Sequence, residues 1–100
     1  MLQEMFRGFV RIHILHHAGQ APVYGVWLIK ELARHSYDLS PGTLYPILHR
    51  LEKEGCLTSE RRLEGGRWRT YYTLTPAGGE LLAQAQAKLR ELTDEVLQEQ

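Results

Sequence analysis

The chain has 100 residues, 43% of them hydrophobic and 24% charged, the profile of one globular domain with a modest core and no room for a separate catalytic domain. Its apolar runs fall short of the roughly 20 residues that cross a bilayer, and its start lacks the segments of a secretory leader, so a cytoplasmic protein with no membrane partner is expected. Basic and acidic residues cancel at 12 each, but residues 1–79 hold ten basic against seven acidic side chains and residues 80–100 two against five, leaving a basic body and an acidic tail.

Residues 2–18 carry apolar side chains at helical spacing (Leu2, Met5, Phe6, Phe9, Val10, Ile12, Ile14) and stop at Gly19, which predicts a first helix. A second is predicted over 23–35, with Val26, Leu28, Ile29, Leu32 and Ala33 on its stripe. Ser40 is a good N-cap and Pro41 a favoured first position for a third helix ending near Gly55, whose core stripe is Leu44, Ile47, Leu48 and Leu51. Pro46 either bends this helix or marks a start later than Pro41. From residue 57 the period becomes two. Stretches 57–63 and 67–74, joined by Glu64-Gly65-Gly66, read as a hairpin, with Trp68, Thr70 and Tyr72 on one face and Arg67, Arg69 and Tyr71 on the other. Thr75-Pro76 then opens a last helix on which Leu82, Ala85, Leu89, Leu92 and Val96 form a heptad seam.

This order predicts an α+β, mostly α fold: a winged helix-turn-helix of three helices and a two-stranded wing over residues 1–78, followed by a C-terminal dimerisation helix over 79–100. In such a fold the third helix enters the major groove, so its outer face should offer hydrogen-bonding and cationic groups. Ser40, Thr43, Tyr45, His49, Arg50 and Lys53 meet that need. Around the glycine turn, Arg61, Arg62, Arg67 and Arg69 face only Glu60 and Glu64, a positive excess suited to the phosphate backbone; an ordinary amphipathic helix and a solubilised hairpin edge are the plainer readings of both features.

Tyr24-Gly25, the run Ser40-Pro41-Gly42-Thr43-Leu44-Tyr45-Pro46, the stretch LHRLEKEG over 48–55 and the run from Gly66 to Gly78 (GRWRTYYTLTPAG) resemble the PadR family of bacterial transcriptional regulators, across almost the whole chain. The resemblance implies a winged helix with a C-terminal dimerisation helix, binding palindromic operator DNA and usually repressing transcription until an effector loosens the complex. It also implies that Ser40, Thr43, Tyr45, Arg67 and Arg69 contact DNA. The single helix after the wing corresponds to the short subtype, so no effector identity carries over. Cys56 stands where a bulky apolar residue would be ordinary.

Independently of the family, the heptad seam outruns what a small domain can cover, which favours a homodimer. Tyr24 and Trp27 could line an aromatic pocket for a planar effector, although core packing explains them equally. His13, His16 and His17 could share a helix face for a metal ion; with no carboxylate or cysteine nearby in sequence, a plain helix surface is the preferred reading and no cofactor is assigned. Cys56 reads as a packed thiol rather than a redox sensor. No phosphate loop, nucleophile elbow or paired carboxylate assembles an enzyme. The rival from another class is a winged-helix interaction module that has lost DNA binding.

Overall fold

The computed structural model describes residues 2–98. Its elements are α1 (Leu2–Gln20), α2 (Gly25–Arg34), α3 (Pro41–Lys53), β1 (Leu57–Glu64), β2 (Arg67–Leu74) and α4 (Pro76–Val96), so the expected order holds throughout. The core is one cluster. Val10, Ile14, Leu15 and Ala18 of α1 meet Leu28 and Leu32 of α2 and Leu44, Ile47, Leu48 and Leu51 of α3, closed below by Leu57 and Tyr72 of the hairpin. Among the described residues no helix is long and apolar enough to cross a membrane.

Two caps set the helix starts. Ser40 Oγ accepts the Thr43 N–H at 3.3 Å ahead of α3, and Thr75 Oγ1 accepts the Gly78 N–H at 3.0 Å ahead of α4, each satisfying an otherwise orphaned donor. α3 begins at Pro41 and runs through Pro46, which overturns the later start. Pro46 has no N–H to give the Gly42 carbonyl its usual i−4 hydrogen bond, so the exposed side of the first turns is loosened. α2, by contrast, starts two residues after the predicted position. Val23 is pinned in an antiparallel bridge to Tyr72, donating to its carbonyl at 3.0 Å and accepting from its amide at 2.7 Å, and a residue held extended against a strand cannot also open a helix. The stripe shifts accordingly: Leu28 and Leu32 are buried, whereas Val26 and Ala33 face outward.

α2 ends in a paired-carbonyl lock. The Tyr37 N–H bonds to the Leu32 carbonyl and the Ser36 N–H to the Ala33 carbonyl, both at 3.0 Å, the pattern that places a left-handed residue just past a helix. Ser36 occupies it at φ 69°, a position glycine usually fills.

The hairpin is in register from Leu57↔Leu74 to Glu64↔Arg67. Gly65 and Gly66 have φ of 56° and 77°, the positive pair that a two-residue turn of this twist requires. Alternation places Leu57, Ser59, Arg61, Leu63, Trp68, Thr70, Tyr72 and Leu74 on one face and the Arg62/Arg69 and Glu60/Tyr71 pairs on the other. Tyr72 and Tyr71 are both buried at the base, because each face of the hairpin root has an element to pack on. Cys56, just before β1, is buried; its carbonyl accepts the Thr75 N–H at 3.1 Å and leaves no space for a side chain at position 78, which Gly78 meets. α4 begins at Pro76, so residue 79 lies in its first turn.

Candidate nucleic-acid interface

The helix-turn-helix pair is α2 and α3, and the two meet at one close approach. The phenol of Tyr45 lies where a Cβ on Gly25 would be, so only glycine at that position lets the ring settle over the start of α2. Tyr45 is therefore half-buried, packing against the core cluster, with its ring 6.3 Å from that of His49. This explains why Tyr24-Gly25 and the Tyr45-Pro46 step belong to one pattern although Gly25 and Tyr45 stand 20 positions apart in the chain.

At the tip of α3, the Ser40 hydroxyl also donates to Thr43 Oγ1 at 3.2 Å. The two side chains form one polar front, with Ser40 serving first as the cap. Gly42, Pro46, His49, Arg50 and Lys53 are exposed. Arg50 Nε lies 3.4 Å from Glu54 Oε2, a solvent-exposed pair that a phosphate could displace because such pairs contribute little. Glu52, near the far end of α3, accepts the Ser59 hydroxyl on its carboxylate at 2.6 Å and ties α3 to β1.

Two further cations join this face. Arg7 and Arg11 of α1 line a groove of about 300 Å³ with Gly42, Thr43, Pro46, Ile47 and Arg50. Sequence reasoning missed them, since it sought basic groups only on the third helix and the wing. Their i, i+4 spacing on the polar side of α1 was the available signal.

On the wing, three arginines cover aromatic faces. The Arg61 guanidinium lies 5.3 Å from the Trp68 ring centre, Arg62 4.9 Å from Tyr71 and Arg69 4.6 Å from Tyr24, within the range of cation–π attraction. Arg62 is also paired with Glu60 at 3.1 Å. Glu64 accepts the Tyr71 hydroxyl at 2.6 Å, and this bond, with burial, holds the Tyr71 phenol above its usual range. Among the described residues no carboxylate lies within ion-pair distance of Arg7, Arg11, Arg61, Arg67 or Arg69. Trp68 and Leu63 stand exposed at the tip, 61% and 57% accessible.

The remaining expected sites fall as follows. Tyr24 and Trp27 line one open groove of about 440 Å³ with His17, Val23, Glu31 and Arg34, but Tyr24 also carries Arg69 on its ring and meets Tyr71 edge-on at 5.3 Å. On α4, Leu82, Ala85 and Leu89 are half-buried, while Leu92 and Val96 are 50% and 64% exposed. The histidines divide differently from the expected trio. His16 lines a cleft between α1 and α4 with Phe9, Ile12, Leu82 and Leu89, and His13 borders the same cleft. His13 and His17 also face α2, where Glu31 and His35 meet them. The carboxylate absent nearby in sequence is thus present in space.

Three helices, a bridged two-stranded wing and a capped α3 tip define a winged helix-turn-helix protein. Residues 14–84 match the model of the family described as "Transcriptional regulator PadR-like family". The chain is 53% identical over 96 residues to "Transcriptional regulator Rv3488" of Mycobacterium tuberculosis, covering 96% of this chain and 90% of that protein. A PadR family transcriptional regulator from Eggerthella lenta is similar in structure, with TM-score 0.83 and 36% identity over 96% of this chain and 85% of that one. A PadR-like regulator from Bacillus cereus has TM-score 0.79 and 29% identity, covering 97% and 99%. The chain belongs to the PadR-like family of transcriptional regulators, and DNA is the partner that this membership implies.

Proposed function

We propose that this regulator is a repressor that binds a pseudo-palindromic operator as a homodimer and is released by an effector; its role is binding, not catalysis. α3 reads the major groove through Thr43 and the exposed edge of Tyr45, with Ser40 holding the tip. His49, Arg50, Lys53, Arg7 and Arg11 grip the adjoining phosphates, and Arg61, Arg67 and Arg69 carry the wing along the flanking backbone. The observation that carries this reading is the set of arginines left without carboxylate partners on a rigid, aromatic-backed hairpin beside an exposed helix tip. In a chain of zero net charge, arginines without carboxylate partners on the wing and beside the α3 tip favour an external polyanion.

The exposed Leu92 and Val96 of α4 favour pairing with a second copy, which places two α3 tips about one helical turn of DNA or more apart. Effector release is favoured by Tyr24, which lines an open groove and supports Arg69 on the same ring; a planar ligand there would disturb the wing directly.

The test is a salt series with DNA from upstream of the protein's own gene. Arg67→Ala with Arg69→Ala should weaken binding to all duplexes and lower the salt slope by about 0.9 for each phosphate no longer neutralised. Thr43→Ala should keep the slope and lose roughly 1–3 kcal/mol of operator preference. An unchanged slope in the double variant would remove the wing from the mechanism.

A further inference from the structure

Two i, i+4 pairs face each other across the α1–α2 junction: His13 and His17 on α1, Glu31 and His35 at the end of α2. One ring nitrogen from each of His13, His17 and His35 lies within 4.8 Å of the other two. Glu31 Oε2 stands 3.6 Å from His17 Nε2 and 3.2 Å from His35 Nε2, while its other oxygen accepts from Arg34 at 2.8 Å. We propose that these four side chains bind one late first-row divalent transition-metal ion of the zinc class, with three imidazole nitrogens and Glu31 Oε2 as donors.

The chemistry of the donor set selects the ion. Imidazole suits zinc, cobalt, nickel and copper, whereas magnesium and calcium prefer oxygen ligands. Four donors of this kind at about 2.0–2.1 Å in a tetrahedron would stand roughly 3.3 Å apart. The histidines therefore need to close by about 1.5 Å from their present limit, a motion within reach of side-chain rotation at the exposed His35. His13 and His17 are half-buried, and burial first, then the neighbouring histidines, lowers both below the ordinary imidazole value. Glu31 remains ionised; partial burial raises its carboxyl, but hydrogen bonds from Arg34 and His35 together outweigh that and hold it below its usual range. Arg34 on the outer oxygen supplies the orienting contact that metal-bound carboxylates usually have.

The location gives the site its consequence. His35 is the C-cap of α2 and adjoins Ser36, the left-handed residue that turns the chain toward α3. An ion held there ties the helix-turn-helix to α1. That consequence rests on the DNA-binding reading; metal capture does not, and it is measured without DNA.

Metal-stripped protein is titrated with cobalt chloride, followed by visible absorption, and with zinc chloride, followed by calorimetry. The expected result is one ion per chain, the intense visible bands of four-coordinate cobalt, and displacement of cobalt by zinc. His35→Ala, which removes an exposed side chain and leaves the core intact, should weaken zinc binding by at least about 10-fold, and His17→Ala should do the same. His16→Ala should bind as the unsubstituted protein does. Absence of a saturable one-to-one event, the pale spectrum of six-coordinate cobalt, or equal affinity in His35→Ala and the parent would each overturn the site.

Discussion

Replacing Gly25 by alanine tests whether one glycine sets the angle of the helix-turn-helix. The new Cβ would fall on the Tyr45 phenol, so the ring must leave its seat or α2 must retreat. Overpacking of this kind costs about 1–3 kcal/mol. For a chain of 100 residues the unfolding entropy is about 0.21 kcal/mol/K, which converts that cost into a fall in Tm of about 5–14 °C. The backbone at Gly25 has no positive φ, and the atoms nearest a side chain there are those of the ring. In a Tyr45→Ala background the same substitution should change sign, because alanine in a helix is favoured over glycine by about 0.5–1 kcal/mol, giving a Tm about 2–5 °C above that of Tyr45→Ala alone. Thermal unfolding followed by circular dichroism at one fixed protein concentration completes the four-variant cycle. If Gly25→Ala costs the same with and without the Tyr45 ring, the close approach does not hold the two helices and the reasoning fails.

Ser40→Ala should lower stability by about 1 kcal/mol through loss of the α3 cap, whereas Ser40→Asp, which caps equally well, should keep Tm and still lose DNA affinity by placing a carboxylate at the polar front; unfolding curves and gel shifts on both variants separate the two roles. Leu92→Asp with Val96→Asp should yield a monomer by light scattering with unchanged helical content, since both side chains are exposed on the single chain. Ser36→Gly should raise stability by up to about 1 kcal/mol, because the left-handed conformation at φ 69° costs a residue with a Cβ about that much; an unchanged or lower Tm would show that the serine side chain compensates.

The element order, both proline-led helix starts, the glycine turn and the α3 core stripe were legible because each rests on local chemistry: a cap, a fixed φ, a positive φ, a spacing of three and four. The misses all involve packing between distant segments. The start of α2 was misplaced because Val23 pairs with Tyr72, 49 positions along the chain. Tyr71 shares a face with Arg67 and Arg69, as the alternation predicts, but its burial was not legible, because Tyr24 from the α1–α2 link covers that side of the hairpin root. The bond by which Ser59 of β1 donates to Glu52 of α3 likewise has no signal in local spacing. The histidines show the same limit most clearly. Helical spacing gathers His13, His16 and His17, but it does not show that α2 brings His35 and Glu31 to His13 and His17, or that α4 brings Leu82 and Leu89 to the cleft that His13 and His16 line.

These contacts make α1 the element through which the molecule's surfaces are joined. One turn of it presents Arg7 and Arg11 beside the α3 tip, a later stretch presents His13 and His17 to α2, and a third side receives α4 through Phe9 and Ile12. Its buried side, Val10, Ile14, Leu15 and Ala18, is packed in the same core as α3, and close-packed interiors pass a displacement on rather than absorb it. A ligand that shifts α1 against α2 by a fraction of an ångström therefore moves Arg7, Arg11 and the α4 scaffold with it. In a homodimer the effect is doubled by symmetry, because the separation of the two α3 tips depends on how each α1 sits on its own α4. A binding event at the α1–α2 junction would control DNA affinity to the extent that its energy differs between two spacings of the tips.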